Sequence, residues 1–210
     1  LIDFFFGRKI NSKVVTEKIP WIILSFLFGI VAVIAQRSFN YIQSNEMFSL
    51  FDRFIFSCYG ISAYLYKLFI PINLSCFYPY PVKIDAAYPL MFYIAPVFIF
   101  ALAFIAWKFF RTNKYVVFCS LFFLISISII LQLIPVGSAL IADRYTYISY
   151  LGFFILFGKF FADALEKKIS GLLRIIILSI VPLGMIIFSY LTFEGITVWK
   201  DSLTLWNDAI

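Results

Sequence analysis

The sequence predicts an all-α integral membrane protein, with a helical bundle of about five crossings and one interfacial amphipathic helix. Hydrophobic residues make up 63% of the chain and charged residues only 13%, whereas soluble domains are about one half apolar. Several apolar runs approach the roughly 20 residues that a helix needs to cross the hydrocarbon core. The alternating pattern of membrane β-strands is absent from the sequence, so the crossings are predicted to be helices.

Charge and residue content argue against nucleic-acid binding and against chemistry based on a metal ion or a histidine. The net charge of +6 comes from basic residues in short clusters between the apolar runs, a distribution that sets membrane orientation and does not indicate binding to nucleic acid. The chain has no histidine, and its three cysteines lack the spacing of metal ligands. We therefore expect neither a metal site nor a histidine general base. The sequence identifies no cofactor.

Five apolar runs predict the crossings. Their approximate bounds are Pro20 to Ala35, Tyr88 to Trp107, Tyr115 to Leu133, Ile148 to Phe161 and Leu172 to Leu191. Pro20 suits the first turn of a helix, because the amide hydrogen that proline lacks would have no helical partner there.

Three basic clusters separate the crossings, and the positive-inside rule assigns all of them to the cytoplasmic side. They are the segments Arg8 to Lys18, Lys108 to Lys114 and Asp163 to Arg174. This topology places the carboxyl end outside or in a lumen, in either a bacterial inner membrane or an endoplasmic reticulum. It also requires that the segment Met47 to Ile70 does not cross.

The segment Met47 to Ile70 is predicted to lie along the outer interface. Polar residues recur in it every three or four positions and form one stripe on an otherwise apolar helix, which is typical of interfacial helices. The stripe contains Ser49, Arg53, Ser57, Gly60, Tyr64 and Lys67. The alternative is an ordinary crossing whose stripe faces the bundle interior, and the loop charges decide against it.

Two regions are predicted in what we expect to be a piece of a longer protein. Residues 1–192 form a multi-spanning membrane domain whose amino-terminal part is missing, because the chain opens without a methionine or a signal-peptide pattern. Residues 193–210 begin an outer-side helical region of tetratricopeptide-like character, since Trp199, Leu203 and Trp206 recur at helical spacing.

Three outer-side elements are predicted to converge on an anionic lipid headgroup: the interfacial helix, a proline-rich loop, and a polar turn. They contribute Arg53, Lys67, Tyr78, Tyr80, Asp143, Arg144, Tyr145 and Tyr147. Arginine and lysine donate to phosphate. Tyrosine rings favour the headgroup level, and a carboxylate can accept hydrogen bonds from a sugar.

The polar turn follows a helix that Pro135 and Gly137 are predicted to end. Its simpler interpretation is a water-facing turn with interfacial anchors, in which Arg144 pairs with Asp143 or another acid.

Four ordered parts of the chain share a family pattern. They are Ala35 to Ser38, then Tyr64 to Ser75 with Phe77 to Pro81, then Val136 to Ser138 with Ala142 to Tyr147, and finally Trp199 to Trp206. This order resembles the membrane portion of tetratricopeptide-repeat proteins of the GT-C glycosyltransferase superfamily. That group includes the transmembrane and tetratricopeptide-repeat O-mannosyltransferases and their bacterial relatives. Together the four parts extend over nearly the whole chain, and their ordered combination is more specific than any one part alone.

The resemblance implies a multi-spanning enzyme that transfers a sugar from a polyprenyl-phosphate donor to an acceptor on the outer or lumenal side. Repeats after the last crossing would hold a protein acceptor. By analogy, Arg144 and Lys67 are candidates for binding the donor phosphate, with Asp143, Tyr145, Tyr78 and Tyr80 shaping the site. The acidic catalytic motif of such enzymes lies in the first outer loop, upstream of Leu1, so no residue here is assigned a catalytic role.

Two other functions fit the composition. One is a non-catalytic membrane anchor that presents a repeat domain to protein partners. The other is a lipid-linked polysaccharide polymerase or ligase, which also combines many crossings with repeats. An acidic pair in the first outer loop would favour the transferase, and the absence of such a pair would favour the anchor. A large outer loop rich in Arg and His would favour the ligase.

Overall fold

A computed structural model describes residues 1–9, 11–38, 48–83, 87–128, 130–131, 139–166, 169 and 171–209. These residues are mostly helical, with one short β-ribbon. The helices are α1 (Ile2–Phe5), α2 (Ser12–Thr16), α3 (Ile19–Ser38), α4 (Leu50–Phe69), α5 (Leu90–Phe110), α6 (Lys114–Ser128), α7 (Leu151–Leu165), α8 (Gly171–Gly195) and α9 (Ser202–Ala209). The strands are β1 (Tyr78–Pro79) and β2 (Ala139–Ile141), and a 3-10 turn spans Asp143–Thr146.

Among the described residues, three helical segments are long and apolar enough to cross a membrane. They are Ser12–Ala32, Leu90–Lys108 and Gly171–Gly195. These segments are almost wholly unburied by the rest of the protein, as expected for helices whose apolar surface meets lipid. Their length and composition indicate a helical membrane protein.

Helices α6 and α7 are shorter than the crossings predicted for them. Each has 15 residues, or roughly 22 Å at 1.5 Å per residue, against a hydrocarbon core of about 30 Å. The predicted end of the third crossing at Leu133 lies outside the described residues, as do Pro135 and Gly137.

Helix α4 begins at a capping box that was not predicted from the sequence. The Ser49 hydroxyl accepts from the Asp52 amide at 3.1 Å, and the Asp52 carboxylate accepts from the Ser49 amide at 3.0 Å. Two amide groups at the helix start are satisfied in this way. Met47, the predicted start of the segment, lies outside the described residues.

The polar stripe of α4 faces the protein interior. Ser57, Gly60 and Tyr64 are buried, whereas the apolar Leu50 and Phe69 are exposed. This is the orientation expected of the alternative, an ordinary crossing, so the stripe by itself no longer argues for an interfacial helix. The stripe is buried because α4 packs its small and polar positions against the segment around Ile141.

The core lies where α4 meets α5, α6 and β2, and it is rich in aromatic rings. Its buried members are Ile55, Phe56, Tyr64, Tyr88, Phe92, Phe123, Ile127, Leu140 and Ile141. Phe56 contacts Tyr88 and Phe92 edge to face, with centroids 5.0 and 5.7 Å apart. Such contacts add to the stabilisation from burial, and they hold the start of α5 against α4.

The proline-rich loop forms one strand of an antiparallel β-ribbon, which was not predicted from the sequence. Tyr78 pairs with Ile141, and Pro79 pairs with Ala139. The ribbon therefore joins two of the elements predicted to converge, which are far apart in the chain, and brings the 3-10 turn beside the end of α4.

Candidate functional site

An ion pair between Lys67 and Asp143 forms the centre of the site. The Lys67 Nζ lies 3.1 Å from Asp143 Oδ1 and 3.3 Å from Oδ2. The two side chains are only 11% and 21% exposed, so water screens their attraction much less than at an open surface. The pair links the last turn of α4 to the start of the 3-10 turn.

Tyr78 completes this cluster. Its hydroxyl accepts a hydrogen bond from Lys67 and lies 2.9 Å from Asp143 Oδ2, and its ring centroid is 4.2 Å from the Lys67 ammonium. The same hydroxyl also lies 2.7 Å from the Asn73 carbonyl oxygen. A phenol has a single hydrogen to donate, so it donates either to Asp143 or to Asn73.

Backbone groups of the loop 73–75 close the cluster from the other side. The Ser75 amide lies 2.7 Å from both Asp143 Oδ2 and the Tyr78 hydroxyl oxygen, so its one hydrogen is shared between them. Lys67 donates to the Asn73 carbonyl oxygen at 3.3 Å. Asn73 adopts a φ of +50°, in the left-handed region that asparagine tolerates better than most residues. The Asp143 carboxylate thus lies among three donor groups, from a lysine, a phenol and an amide.

A second tyrosine holds the main chain just before the turn. The Tyr64 hydroxyl accepts from the Ala142 amide at 3.2 Å and lies 3.4 Å from its carbonyl oxygen. The Tyr150 hydroxyl in turn donates to the Tyr64 carbonyl oxygen at 2.6 Å. The segment carrying Asp143 is therefore tied to α4 through both its backbone and its side chain.

Arg144 lies outside this cluster. Its side chain is exposed, and its guanidinium carbon lies 5.4 Å from the ring centroid of Tyr145. Within the described part of the chain, no carboxylate lies at ion-pair distance from Arg144. The anticipated alternative, in which Arg144 pairs with Asp143, is therefore not what the structure shows, because Lys67 takes that carboxylate.

The geometry of the 3-10 turn explains the divergence of neighbouring side chains. With three residues per turn, residues i and i+3 share a face and residues i and i+1 do not. Asp143 and Thr146 accordingly face the protein, and Thr146 is buried. Arg144 and Tyr147 face outward, and Tyr147 is 74% exposed.

Arg53 and Tyr80 lie at the opposite end of α4. The Arg53 Nε donates to the Phe48 carbonyl oxygen at 3.3 Å, and the Tyr80 ring stacks on the Phe48 ring with centroids 4.8 Å apart. Burial raises the pKa of Tyr80 to about 12, assisted by nearby Tyr145 and opposed by the positive charge of Arg53. An ordinary tyrosine, with a pKa of about 10, is already neutral at physiological pH, so this shift does not change the state of Tyr80 there.

A cleft of about 490 Å³ opens between α4 and α5 next to Lys67. Its apolar wall includes Met91, Ile94 and Phe98 of α5, and its polar end consists of Lys67, Asn73 and Tyr78. The volume lies within the range of about 300–1,000 Å³ that is usual for small-molecule sites.

The structure thus brings together five of the predicted site residues in two adjoining groups. Lys67, Tyr78 and Asp143 form the buried ion-pair cluster, and Arg144 with Tyr145 forms the part beside it. Three contributors were not predicted: Tyr64, Asn73 and Ser75, of which the last two act through backbone atoms that no side-chain pattern could reveal. Among the described residues, no group of three or more Cys, Asp or Glu side chains is arranged to hold a metal ion.

Comparison with known proteins does not place the chain in a family. No family model matches it, and neither a curated protein nor a solved structure matches it.

Proposed function

We propose that this chain is part of a GT-C-type membrane glycosyltransferase that uses a polyprenyl-phosphate sugar donor on the outer or lumenal side. One observation carries the proposal. Three of the segments on which the family resemblance rests, Tyr64 to Ser75, Phe77 to Pro81 and Ala142 to Tyr147, meet in one polar cluster, although the third is far from the other two in the sequence. Convergence of this kind is expected when such segments serve one site.

The chemistry at the cluster suits a phosphate leaving group. In glycosyl transfer an acceptor oxygen bonds to the sugar carbon while the bond from that carbon to phosphate breaks, and polyprenyl phosphate leaves with negative charge. The acceptor proton passes to a general base, which the resemblance places in the first outer loop. Arg144, exposed and without a carboxylate partner among the described residues, would stabilise the phosphate with two parallel hydrogen bonds.

The proposed topology has five crossings, formed by α3, α5, α6, α7 and α8, with α4 along the outer interface and the carboxyl end outside. Helices α6 and α7 would then cross a locally thinned bilayer, because they are short. A lipid-linked donor in the same bilayer and a protein acceptor held by downstream repeats are the partners this arrangement implies.

The proline-rich segment supports an interfacial α4. It runs beside the helix from one end to the other: Tyr78 contacts Lys67, and Lys83 lies 3.9 Å from Asp52. Irregular backbone needs water or protein partners and is excluded from lipid-exposed positions in the hydrocarbon core. A helix flanked along its length by such a segment fits the headgroup level better than the bilayer interior.

Transfer assays on the full-length protein in lipid nanodiscs test the proposal, with a polyprenyl-phosphate sugar as donor. Arg144→Ala and Arg144→Lys should each lower donor affinity at least about tenfold, because a charge-assisted hydrogen bond contributes roughly 1.5–3 kcal/mol and lysine lacks the planar fork. Arg111→Ala is the matched control, since the Arg111 guanidinium also lies 5.4 Å from an aromatic centroid, that of Trp107, on the predicted cytoplasmic side. Normal insertion with unchanged donor affinity and transfer in both Arg144 variants would refute the proposal.

The non-catalytic anchor is the second candidate, and one observation favours it. Lys67 and Asp143 neutralise each other, which is what a purely structural cluster would do. If Arg144→Ala and Arg144→Lys lower expression or thermal stability while donor binding in the folded fraction is unchanged, the anchor is the better account.

A further inference from the structure

We propose that Lys67 and Asp143 are positioning residues, whose ion pair keeps the Arg144 guanidinium available to an anionic lipid phosphate. This inference rests on the proposed function, and it assigns to Asp143 a role other than contact with the sugar. The pair would act in two ways. It fixes the turn that carries Arg144, and it neutralises the Asp143 carboxylate, which is the acid nearest to Arg144 in the sequence.

The first action follows from the hydrogen bonds around Asp143. Its carboxylate is held by Lys67 of α4 and by the Ser75 amide at 2.7 Å. Its carbonyl oxygen accepts from the Thr146 hydroxyl at 2.8 Å. Because adjacent side chains diverge in a 3-10 turn, fixing Asp143 inward directs Arg144 outward.

The second action is electrostatic. Asp143 and Arg144 are neighbours in the chain, and an aspartate without a counter-ion at this half-buried position would attract the adjacent guanidinium. An arginine bound to its neighbour is no longer free to form two parallel hydrogen bonds with phosphate. Lys67 prevents that capture by neutralising the carboxylate from the other side.

A double-mutant cycle between each member of the pair and Arg144 tests the inference. The variants are Lys67→Met, Asp143→Asn and Arg144→Ala, singly and in combination, in the full chain in nanodiscs. The ligand is a short-chain polyprenyl phosphate, and the quantity measured is its dissociation constant in the folded fraction. Asp143→Asn keeps the size of the side chain and its acceptor for the Ser75 amide, so it is the milder perturbation if Lys67→Met does not fold.

We expect Lys67→Met to raise the dissociation constant about tenfold when Arg144 is present, because it loosens the turn and leaves the Asp143 carboxylate without a counter-ion. Asp143→Asn removes the carboxylate itself and loosens only the turn, so it should raise the constant by less. When residue 144 is alanine, either change should raise it less than about twofold. A merely structural pair would change thermal stability and leave the affinity of the folded protein unaltered. Asp163→Asn is the control, because it removes another half-buried lysine–aspartate pair, with Lys159 on α7, far from the turn in sequence. It should leave the dissociation constant unchanged.

Additive losses in the Arg144→Ala background would overturn the inference, because they would show that the pair does not act through Arg144. Native affinity in Asp143→Asn and Lys67→Met, combined with weak binding in Arg144→Ala, would overturn it and leave the proposed phosphate contact intact. Native affinity in Arg144→Ala would instead show that Arg144 does not bind the phosphate, and this inference would then fail as well.

Discussion

Gly152 provides a sharp test of how α7 packs against α6. A Cβ atom at this position would lie 2.8 Å from the Cys119 carbonyl oxygen and 3.2 Å from Cδ1 of Phe122. The phenylalanine ring can rotate away, but the backbone oxygen cannot. Gly152→Ala must therefore push the two helices apart or distort α6 near Cys119.

The expected cost of this substitution combines two opposing effects. Overpacking of a close contact destabilises by about 1–3 kcal/mol, whereas replacing glycine by alanine inside a helix stabilises by about 1 kcal/mol. Gly158 lies on the same helix, and a Cβ atom there would meet no described atom within 4 Å beyond the backbone of its own helix. Gly158→Ala therefore shows only the gain from replacing glycine by alanine. We expect Gly152→Ala to be less stable than Gly158→Ala by about 2 kcal/mol, or about 4–8 °C in unfolding midpoint.

Thermal unfolding of both variants in the same detergent measures this difference. A further variant, Phe122→Leu combined with Gly152→Ala, should recover little stability, because the clash with the Cys119 carbonyl oxygen remains. If Gly152→Ala were as stable as Gly158→Ala, the close approach of α6 and α7 would be refuted. Full rescue by Phe122→Leu would assign the clash to the ring and not to the backbone.

Three further outcomes are expected. With α4 at the outer interface, Leu50→Cys and Ile72→Cys should both react with an impermeant thiol reagent added outside, and Thr112→Cys should not; the native cysteines in the described residues are buried and give little background. Reaction at only one end of α4 would make it a crossing. Asp52→Ala should lower the free energy of unfolding by about 1 kcal/mol through loss of the capping box, measured as a lower unfolding midpoint. Asp52→Asn should retain part of the stabilisation from the capping box. Trp206→Ala should increase proteolysis of α9, because the Trp206 ring packs 6.2 Å from that of Phe77; unchanged cleavage would contradict this contact.

The helices could be predicted from the sequence because their signal is local. A run of about 20 apolar residues specifies a membrane helix with little reference to the rest of the chain, and α3, α5 and α8 lie where such runs occur. The face that α4 buries could not be predicted in this way. Whether a polar stripe meets water or protein depends on which partner covers it, and here that partner is the β2 segment, which is distant in the chain.

The residues of the candidate site could be chosen from sequence by type, but not by partner. Charged and aromatic residues stand out in the polar segments between the apolar runs, so Lys67, Tyr78, Asp143 and Arg144 were identifiable. Their pairing depends on a β-ribbon of two and three residues, which is too short to leave a recognisable pattern.

The consequence of that pairing is a division of roles within three successive residues. Asp143 is directed inward to Lys67, and Arg144 is directed outward over the ring of Tyr145. In a 3-10 turn the outward face repeats at the third residue, so Tyr147 follows Arg144 on that face. If the proposed topology holds, this exposed face lies at the membrane surface, where a guanidinium and a tyrosine ring would suit a phosphate whose hydrocarbon chain continues into the bilayer, since the ring favours the headgroup level. The inward carboxylate belongs to a different face, and for that reason it would hold the turn in place and would not contact the lipid.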